Sequence, residues 1–157
     1  YGDELALPDA ELDPAKALDP VPHRTGDPSR NRDECRTPMQ WDGGPGAGFT
    51  NGAEPWLPFA DGRSVAAQRD DPGSTLHLVR DLIALRRERA DLRDGAYATV
   101  SDEPWVWRRG EGTVVALNLS DAPVEVDVRG AVLIGTDRER RSFDGRLAPW
   151  EGVVLDG

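Results

Sequence analysis

Asn31-Arg32-Asp33-Glu34-Cys35-Arg36-Thr37-Pro38-Met39-Gln40-Trp41-Asp42, followed by Ala47-Gly48-Phe49-Thr50, is the stretch that decides how this chain is read. It packs arginines, carboxylates, a proline, a methionine and a tryptophan into a segment with neither a helical nor a strand period. It reads as a loop held in one shape, and loops of that kind carry sites.

The same character extends on both sides of it. From about residue 8 to residue 73 prolines and glycines recur and periodicity is almost absent. So long an excursion is rare in a compact domain, so the segment is either disordered or covers a site. Trp41, Phe49, Trp56, Leu57 and Phe59 favour order, because disordered segments are poor in large apolar groups. The run Gly43-Gly44-Pro45-Gly46-Ala47-Gly48 follows no strand and lacks a Gly-Lys-Ser/Thr ending, so it is a turn and not a phosphate cradle.

Downstream the pattern changes. Asp71-Pro72 offers an N-cap and a first-turn proline. Leu76, Leu78, Val79, Leu82, Ile83 and Leu85 then form a broad apolar face, predicting a helix over 72–89. Arg86, Arg87 and Arg89 lie near its C-terminus, as a solvated or domain-bridging face. From Gly95 onward, Ala96–Ser101, Trp105–Arg109, Thr113–Leu119, Val124–Arg129, Val132–Thr136, Arg146–Trp150 and Val153–Leu155 read as short strands separated by turn signals. Strands at this spacing predict a small antiparallel sandwich.

Composition narrows the function classes. The 157 residues suggest one domain or slightly more. The net charge of −10 argues against a nucleic-acid partner, which needs a basic stripe. No apolar run approaches the ~18 residues of a membrane helix. Cys35 is the only cysteine, which excludes an internal disulfide and leaves no recognisable metal spacing with His23 and His77. Neither a metal nor a cofactor is expected. Lys16 is the one lysine among 19 basic residues, a bias attributed to a GC-rich genome. The expected setting is bacterial and cytoplasmic. The chain begins at Tyr1 with no methionine, and Tyr1-Gly2-Asp3-Glu4-Leu5 reads as the tail of a strand whose upstream partners lie outside it.

These motifs together resemble the C-terminal part of glycoside hydrolase family 13 α-glucosidases, of the oligo-1,6-glucosidase and maltose-acting kind. The carriers are Tyr1–Leu5, Asp19-Pro20, Arg32-Asp33, the run Arg36-Thr37-Pro38-Met39-Gln40-Trp41-Asp42, Ala47-Gly48-Phe49 and Pro55-Trp56-Leu57-Pro58. Val65-Ala66-Ala67-Gln68, Asp71-Pro72 with Ser74, Leu82-Ile83-Ala84-Leu85-Arg86 and Leu117-Asn118-Leu119-Ser120 continue the match along the chain.

The resemblance implies an α+β fragment. Residues 1–94 would be the last βα unit of a (β/α)₈ barrel, with strand eight, a long loop and helix eight. Residues 95–157 would be an antiparallel β-sandwich. A whole barrel needs about 250 residues. The implied parent reaction is retaining hydrolysis of α-1,4 or α-1,6 bonds in maltose, isomaltose or short malto-oligosaccharides. That chemistry needs two carboxyl groups about 5 Å apart. In the family these lie after earlier strands, so Asp3, Glu4, Asp33, Glu34 and Asp42 are not assigned to catalysis. The implied partners are an α-glucoside and the upstream barrel. Alternatives are a trehalose synthase or sucrose isomerase of the same family, a non-catalytic relative such as a transporter heavy chain, and a carbohydrate-binding β-module. Deprived of a barrel, the apolar face of the 72–89 helix is expected to promote self-association.

Arg32, Asp33, Arg36, Trp41 and Phe49 form the candidate substrate-proximal loop. For the arginines the competing reading is an ion pair with Asp33 or Glu34 that pins the loop. For Trp41, Phe49 and Trp56 it is a small core beneath the loop. Met39 is read as packing, and Cys35 lacks the neighbouring histidine a nucleophile needs. Trp105 and Trp107 share a strand face and, with Trp150, could form either a sugar platform or sheet packing. The Asn118-Leu119-Ser120 sequon falls in a predicted strand and is read as chance.

Overall fold

The computed structural model describes residues 2–60 and 62–157. The chain divides into two compact units, Tyr1–His77 and Leu78–Gly157.

The first unit is ordered with little regular structure. Its elements are short: 3₁₀ turns at Asp3–Leu5, Pro14–Lys16, Pro28–Arg30 and Pro45–Gly48, and helices α1 (Pro20–Thr25) and α2 (Val65–Arg69). A single local device recurs four times. In Asp13-Pro14, Asp19-Pro20, Asp27-Pro28 and Asp71-Pro72, the aspartate Oδ1 accepts the N–H two residues on, at 2.9–3.1 Å. Proline fixes φ and the carboxylate takes an otherwise orphaned donor, so each pair starts a turn.

The strand expected over Tyr1–Leu5 is not found in its described part; Tyr1 lies outside the described residues. Gly2 is left-handed at φ 86, and its carbonyl accepts from Leu5 and Leu7 N–H, closing a turn. The expected aromatic core is also absent. Trp41, Phe49 and Trp56 are 51%, 49% and 61% exposed. The interior is instead built from Leu5, Ala10, Met39, Ala47, Leu57 and Ala60, with buried Asp19, Asp33, Thr37 and Gln40. A loop with so many unpaired backbone groups must bury polar partners for them, and bulky rings cannot serve.

The long helix, α3, runs Thr75–Glu88 and not from Pro72. Asp71-Pro72 makes a turn first, and Ser74 then accepts the His77 N–H at 3.4 Å as the cap. A short α4 (Ala90–Asp94) follows.

In the second unit, strands β1 (Tyr97–Ser101), β2 (Trp105–Arg109), β3 (Thr113–Leu117), β4 (Val124–Glu125), β5 (Gly130–Gly135), β6 (Ser142–Phe143), β7 (Arg146–Leu147) and β8 (Gly152–Asp156) are antiparallel wherever they pair. They form a six-stranded sheet, β1-β2-β3-β8-β5-β6, and a two-stranded sheet, β4-β7. Alternation places Val114, Ala116, Val153 and Leu155 in one core, shared with Val126, Val128, Phe143 and Leu147. Val115, Ile134 and Val154 face the other way, against Leu78 and Leu85 of α3. The central strands are thus buried on both faces, which is why Val114–Leu117 and Val153–Leu155 are continuous apolar runs and not alternating ones.

Sandwich packing therefore holds, with one layer reduced to a hairpin-sized sheet. Several expected strands are shorter than read. Val126 and Val128 reach the core without ladder pairing, and Pro149 and the φ 58 backbone of Trp150 stop β7 early. β6 has no strand signal because it follows the charged run Asp137-Arg138-Glu139-Arg140-Arg141. Arg89 is no solvated side chain. It donates to the Gly112 carbonyl at 2.6 Å and the Thr113 hydroxyl at 3.1 Å and pairs with Asp156 at 2.8 Å, tying the end of α3 to β3 and β8. On α3 the expected apolar face is partly covered, by the sheet at Leu78 and Leu85, while Leu82 and Ile83 remain exposed.

Candidate functional site

The candidate loop rests on two buried carboxylates. Asp33 Oδ2 accepts the Leu18 N–H at 2.7 Å and the Asp19 N–H at 2.9 Å. Asp19 in turn accepts Arg32 through both oxygens, Nε at 2.6 Å and Nη2 at 2.8 Å, and also accepts the Arg32 backbone N–H at 3.0 Å. The two chain segments 18–21 and 31–33 are stitched together by side chain to backbone bonds in both directions. A fork-to-fork guanidinium pair is the strongest common form of such a contact. The Arg32 guanidinium, with the N–H groups of Val21 and Arg32, holds the Asp19 carboxyl well below the usual carboxylate range against the opposing effect of burial. Asp19 correspondingly raises Arg32.

The expected ion pair is therefore found for Arg36, whose Nη1 lies 3.6 Å from Asp33 Oδ1. Arg32 takes a different partner from those expected, Asp19 and not Asp33 or Glu34. Asp33 Oδ1 is buried without a hydrogen-bond donor, and it faces the charge of Arg36 at 3.6 Å with that of Arg32 also felt there. Asp19 is the residue missed as a partner. Its Asp-Pro context gave the cap, but a bond spanning 13 residues leaves no local signal.

Beyond Arg36 the chain turns inward. Thr37, Pro38, Met39 and Gln40 are buried in succession, and Gln40 Nε2 donates to the Ala60 carbonyl at 2.8 Å. Gln40 and Trp41 carbonyls accept Val65 and Ala66 N–H at 2.9 and 3.0 Å, docking the run against α2. Trp41 and Asp42 N–H both donate to the carbonyl of Ala47, which is buried and left-handed at φ 50. A Cβ on Gly48 would stand 3.0 Å from Trp41 Cβ and 2.7 Å from Asp42 Oδ2, so glycine is required for this close return. Phe49 leaves the turn and meets Phe59 edge-on at 6.5 Å.

The five candidate residues thus fall into two groups. Arg32 and Asp33 meet at Asp19 with Arg36 beside Asp33, and Trp41 and Phe49 flank the turn at Ala47. Among the described residues no hydrogen bond or ion pair joins the groups. Arg36, Trp41 and Phe49 each present about half their side chain to solvent. An exposed guanidinium can hydrogen-bond hydroxyls and an exposed ring can stack on a sugar; among these five residues no free carboxylate pair is held for acid–base work. Asp42 is occupied by the Gly44 N–H at 2.7 Å. Among the described residues no group of three or more histidine, cysteine, aspartate or glutamate side chains is placed to hold a metal.

In the second unit, the rings of Trp105 and Trp107 lie 4.6 Å apart with their planes tilted by 39°, and Trp107 packs on the sheet core. Trp150 does not join them. Its indole N–H donates to Asp121 at 2.8 Å, beside a separate cleft. Asn118 is buried just past β3, its amide donating to the carbonyls of Ala122 and Ala148, so its side chain is committed to the fold.

Residues 1–95 match the family description "Alpha amylase, catalytic domain". The chain is 37% identical to the salivary alpha-glucosidase of Anopheles gambiae, over 99% of its own length and 31% of that protein. It is 31% identical to the oligo-1,6-glucosidase of Parageobacillus thermoglucosidasius, over 80% of its length and 25% of that protein. The chain therefore spans less than a third of these relatives. Among solved structures, an alpha-glucosyl transfer enzyme, XgtA, superposes with a TM-score of 0.78 at 33% identity, covering 99% of this chain and 32% of that one. The trehalulose synthase MutB of Pseudomonas mesoacidophila MX-45 superposes with a TM-score of 0.84 at 24% identity, over 99% of this chain and 34% of that one, a likeness of fold.

Proposed function

The chain belongs to the alpha-amylase family, and from that premise we propose that it is the C-terminal part of a retaining α-glucosidase acting on maltose, isomaltose or short malto-oligosaccharides. The observation that carries this reading is the 37% identity to an α-glucosidase along essentially the whole chain, across both compact units. Residues 1–94 contribute the last loop and helix of the catalytic barrel and residues 95–157 the appended sandwich. The two catalytic carboxyl groups lie in the remainder of the catalytic domain. Asp33 and Asp42 support this assignment, since their oxygens already serve backbone amides of the loop.

Arg32 and Asp33 hold the loop, and Arg36, Trp41 and Phe49 form its sugar-side edge. The half-exposure of those three side chains supports that role. The 157 residues alone are inactive. The likeness to an alpha-glucosyl transfer enzyme supports a second reading, transfer of the glucosyl group to a sugar in place of water. A cytoplasmic setting is part of the proposal, and the exposed free thiol of Cys35 suits a reducing compartment. Among the described residues no helix is long and apolar enough to cross a membrane.

Product analysis of the full-length protein on maltose, isomaltose and sucrose tests the reading. It predicts glucose as the main product, released first as the α-anomer. Trehalose, an isomerised sucrose or an inverted product would overturn it.

A further inference from the structure

A cleft of about 820 Å³ opens on the second unit, walled by Trp150 and by the charged segment before β6. Trp150 is exceptional there. Its backbone is left-handed at φ 58, a conformation that a bulky L-residue seldom adopts. Its ring is 61% exposed, yet its N–H is fixed by Asp121. The indole is therefore held at one edge, and its backbone N–H donates to the Ser120 carbonyl at 3.2 Å, while much of the ring surface stays in water.

The floor of the cleft is equally fixed. Arg140 donates to Glu151 at 2.6 Å, to Asp144 at 2.9 Å and to the Arg146 carbonyl at 3.0 Å. Glu151, almost fully buried, also accepts the Ala148 N–H at 2.7 Å. The Arg146 N–H, Asp144's own N–H and the Arg140 guanidinium hold the Asp144 carboxyl below its ordinary value, so it stays ionised.

The chemistry narrows the ligand. Asp137, Glu139, Asp144 and Glu151 outnumber Arg140 and Arg146, so an anion is disfavoured. A quaternary ammonium is recognised by a cage of rings, and this cleft offers one indole. Charged walls suit neither a lipid nor an apolar peptide. A neutral ring with hydroxyls on its rim and an apolar C–H face satisfies every wall at once. Its hydroxyls can donate to carboxylates and accept from a guanidinium while its flat face covers the indole.

We propose that this cleft is a saccharide-binding site, in which Trp150 stacks on a pyranose ring and Asp137 and Glu139 hold its hydroxyls. The choice of an α-glucan as the saccharide rests on the proposed function; the site itself stands on the cleft.

Titration of the 157-residue chain with maltotriose, by calorimetry and intrinsic fluorescence, tests it. One saturable site is expected, weakened at least about tenfold in Trp150→Ala and in Glu139→Ala, and kept in Trp150→Tyr and in Trp56→Ala. Circular dichroism checks that each variant folds; should Trp150→Ala unfold, the exposed Glu139→Ala decides. Cellotriose bound in place of maltotriose, with the same loss in the variants, would uphold the site and contradict the α-glucoside class. No saturable binding of either sugar by the folded chain would overturn the proposal. So would undiminished binding in the variants, or binding of choline alone.

Discussion

The two compact units reach order by opposite means. The second is held by strand ladders around apolar cores, with Leu147 and Leu155 fully buried. The first has almost no ladder and a sparse apolar interior, and it is held by carboxylates and amides aimed at backbone groups. The difference teaches that a long Pro- and Gly-rich excursion can be as specific as a sheet, provided each turn closes its own hydrogen bonds and a few buried acids join distant turns. It also shows where variation is felt. In a sheet the cost of a change follows lost volume, whereas in such a loop it follows the number of donors left unpaired.

The largest expected effect lies on the apolar side of this comparison. Leu155→Ala empties the centre of the sandwich core and should cost about 2–5 kcal/mol, read as a fall in the denaturation midpoint of the strand signal. Next comes Asp33→Ala, which strands the Leu18 and Asp19 N–H groups. It should cost about 1–3 kcal/mol, confined to the first unit. If Asp33→Ala instead lowered the unfolding midpoint of the strands as much as Leu155→Ala does, the division into two modes would fail.

A smaller effect separates the units by pH. Asp19 has a folded value below its ordinary 3.8, so its pairing contributes stability above that value and loses it as pH falls below it. The first unit should therefore loosen below about pH 4, before the sandwich does. Asp19→Asn should be less stable at neutral pH and show a flatter acid response, measured by near-ultraviolet circular dichroism across pH 2–7. An unchanged acid profile in Asp19→Asn would remove that carboxylate from the account. Smallest of all, Trp41→Ala should change stability by less than about 0.5 kcal/mol, because its ring is half in solvent. The reading of Trp41 as a sugar-side residue predicts that the same variant, in the full-length enzyme, raises KM for maltose. A stability loss like that of Leu155→Ala would return Trp41 to the core.

Much of the sandwich was legible because period is a local signal. Thr113–Leu117 and Trp105–Arg109 announce themselves by β-branched and aromatic runs, and their pairing follows from short turns. β6 was not legible, since two residues after a charged segment carry no period. In the loop, the aromatic content spoke correctly for order but could not say which way the rings point. Arg32 illustrates the remaining limit. Its charge and neighbours suggested a pair with Asp33 or Glu34, whereas the fold brings Asp19 to it from 13 residues away and assigns Asp33 to two backbone amides. Met39 was read as packing and is buried. The Asp-Pro pairs were a signal in plain view. Four of them mark four turns, and the pair at 19–20 also marks the acid on which the loop closes.

Buried Asp33 and Asp19 fold the loop that carries Arg36 and Trp41. Amide hydrogen exchange at Leu18 and Asp19 tests it most directly, in the chain and in Asp33→Ala at neutral pH. Slow exchange is expected at both amides in the chain and fast exchange at both in the variant, with Val115 and Val154 unchanged. Fast exchange at Leu18 and Asp19 in the unaltered chain, or protection that survives the loss of Asp33, would contradict it.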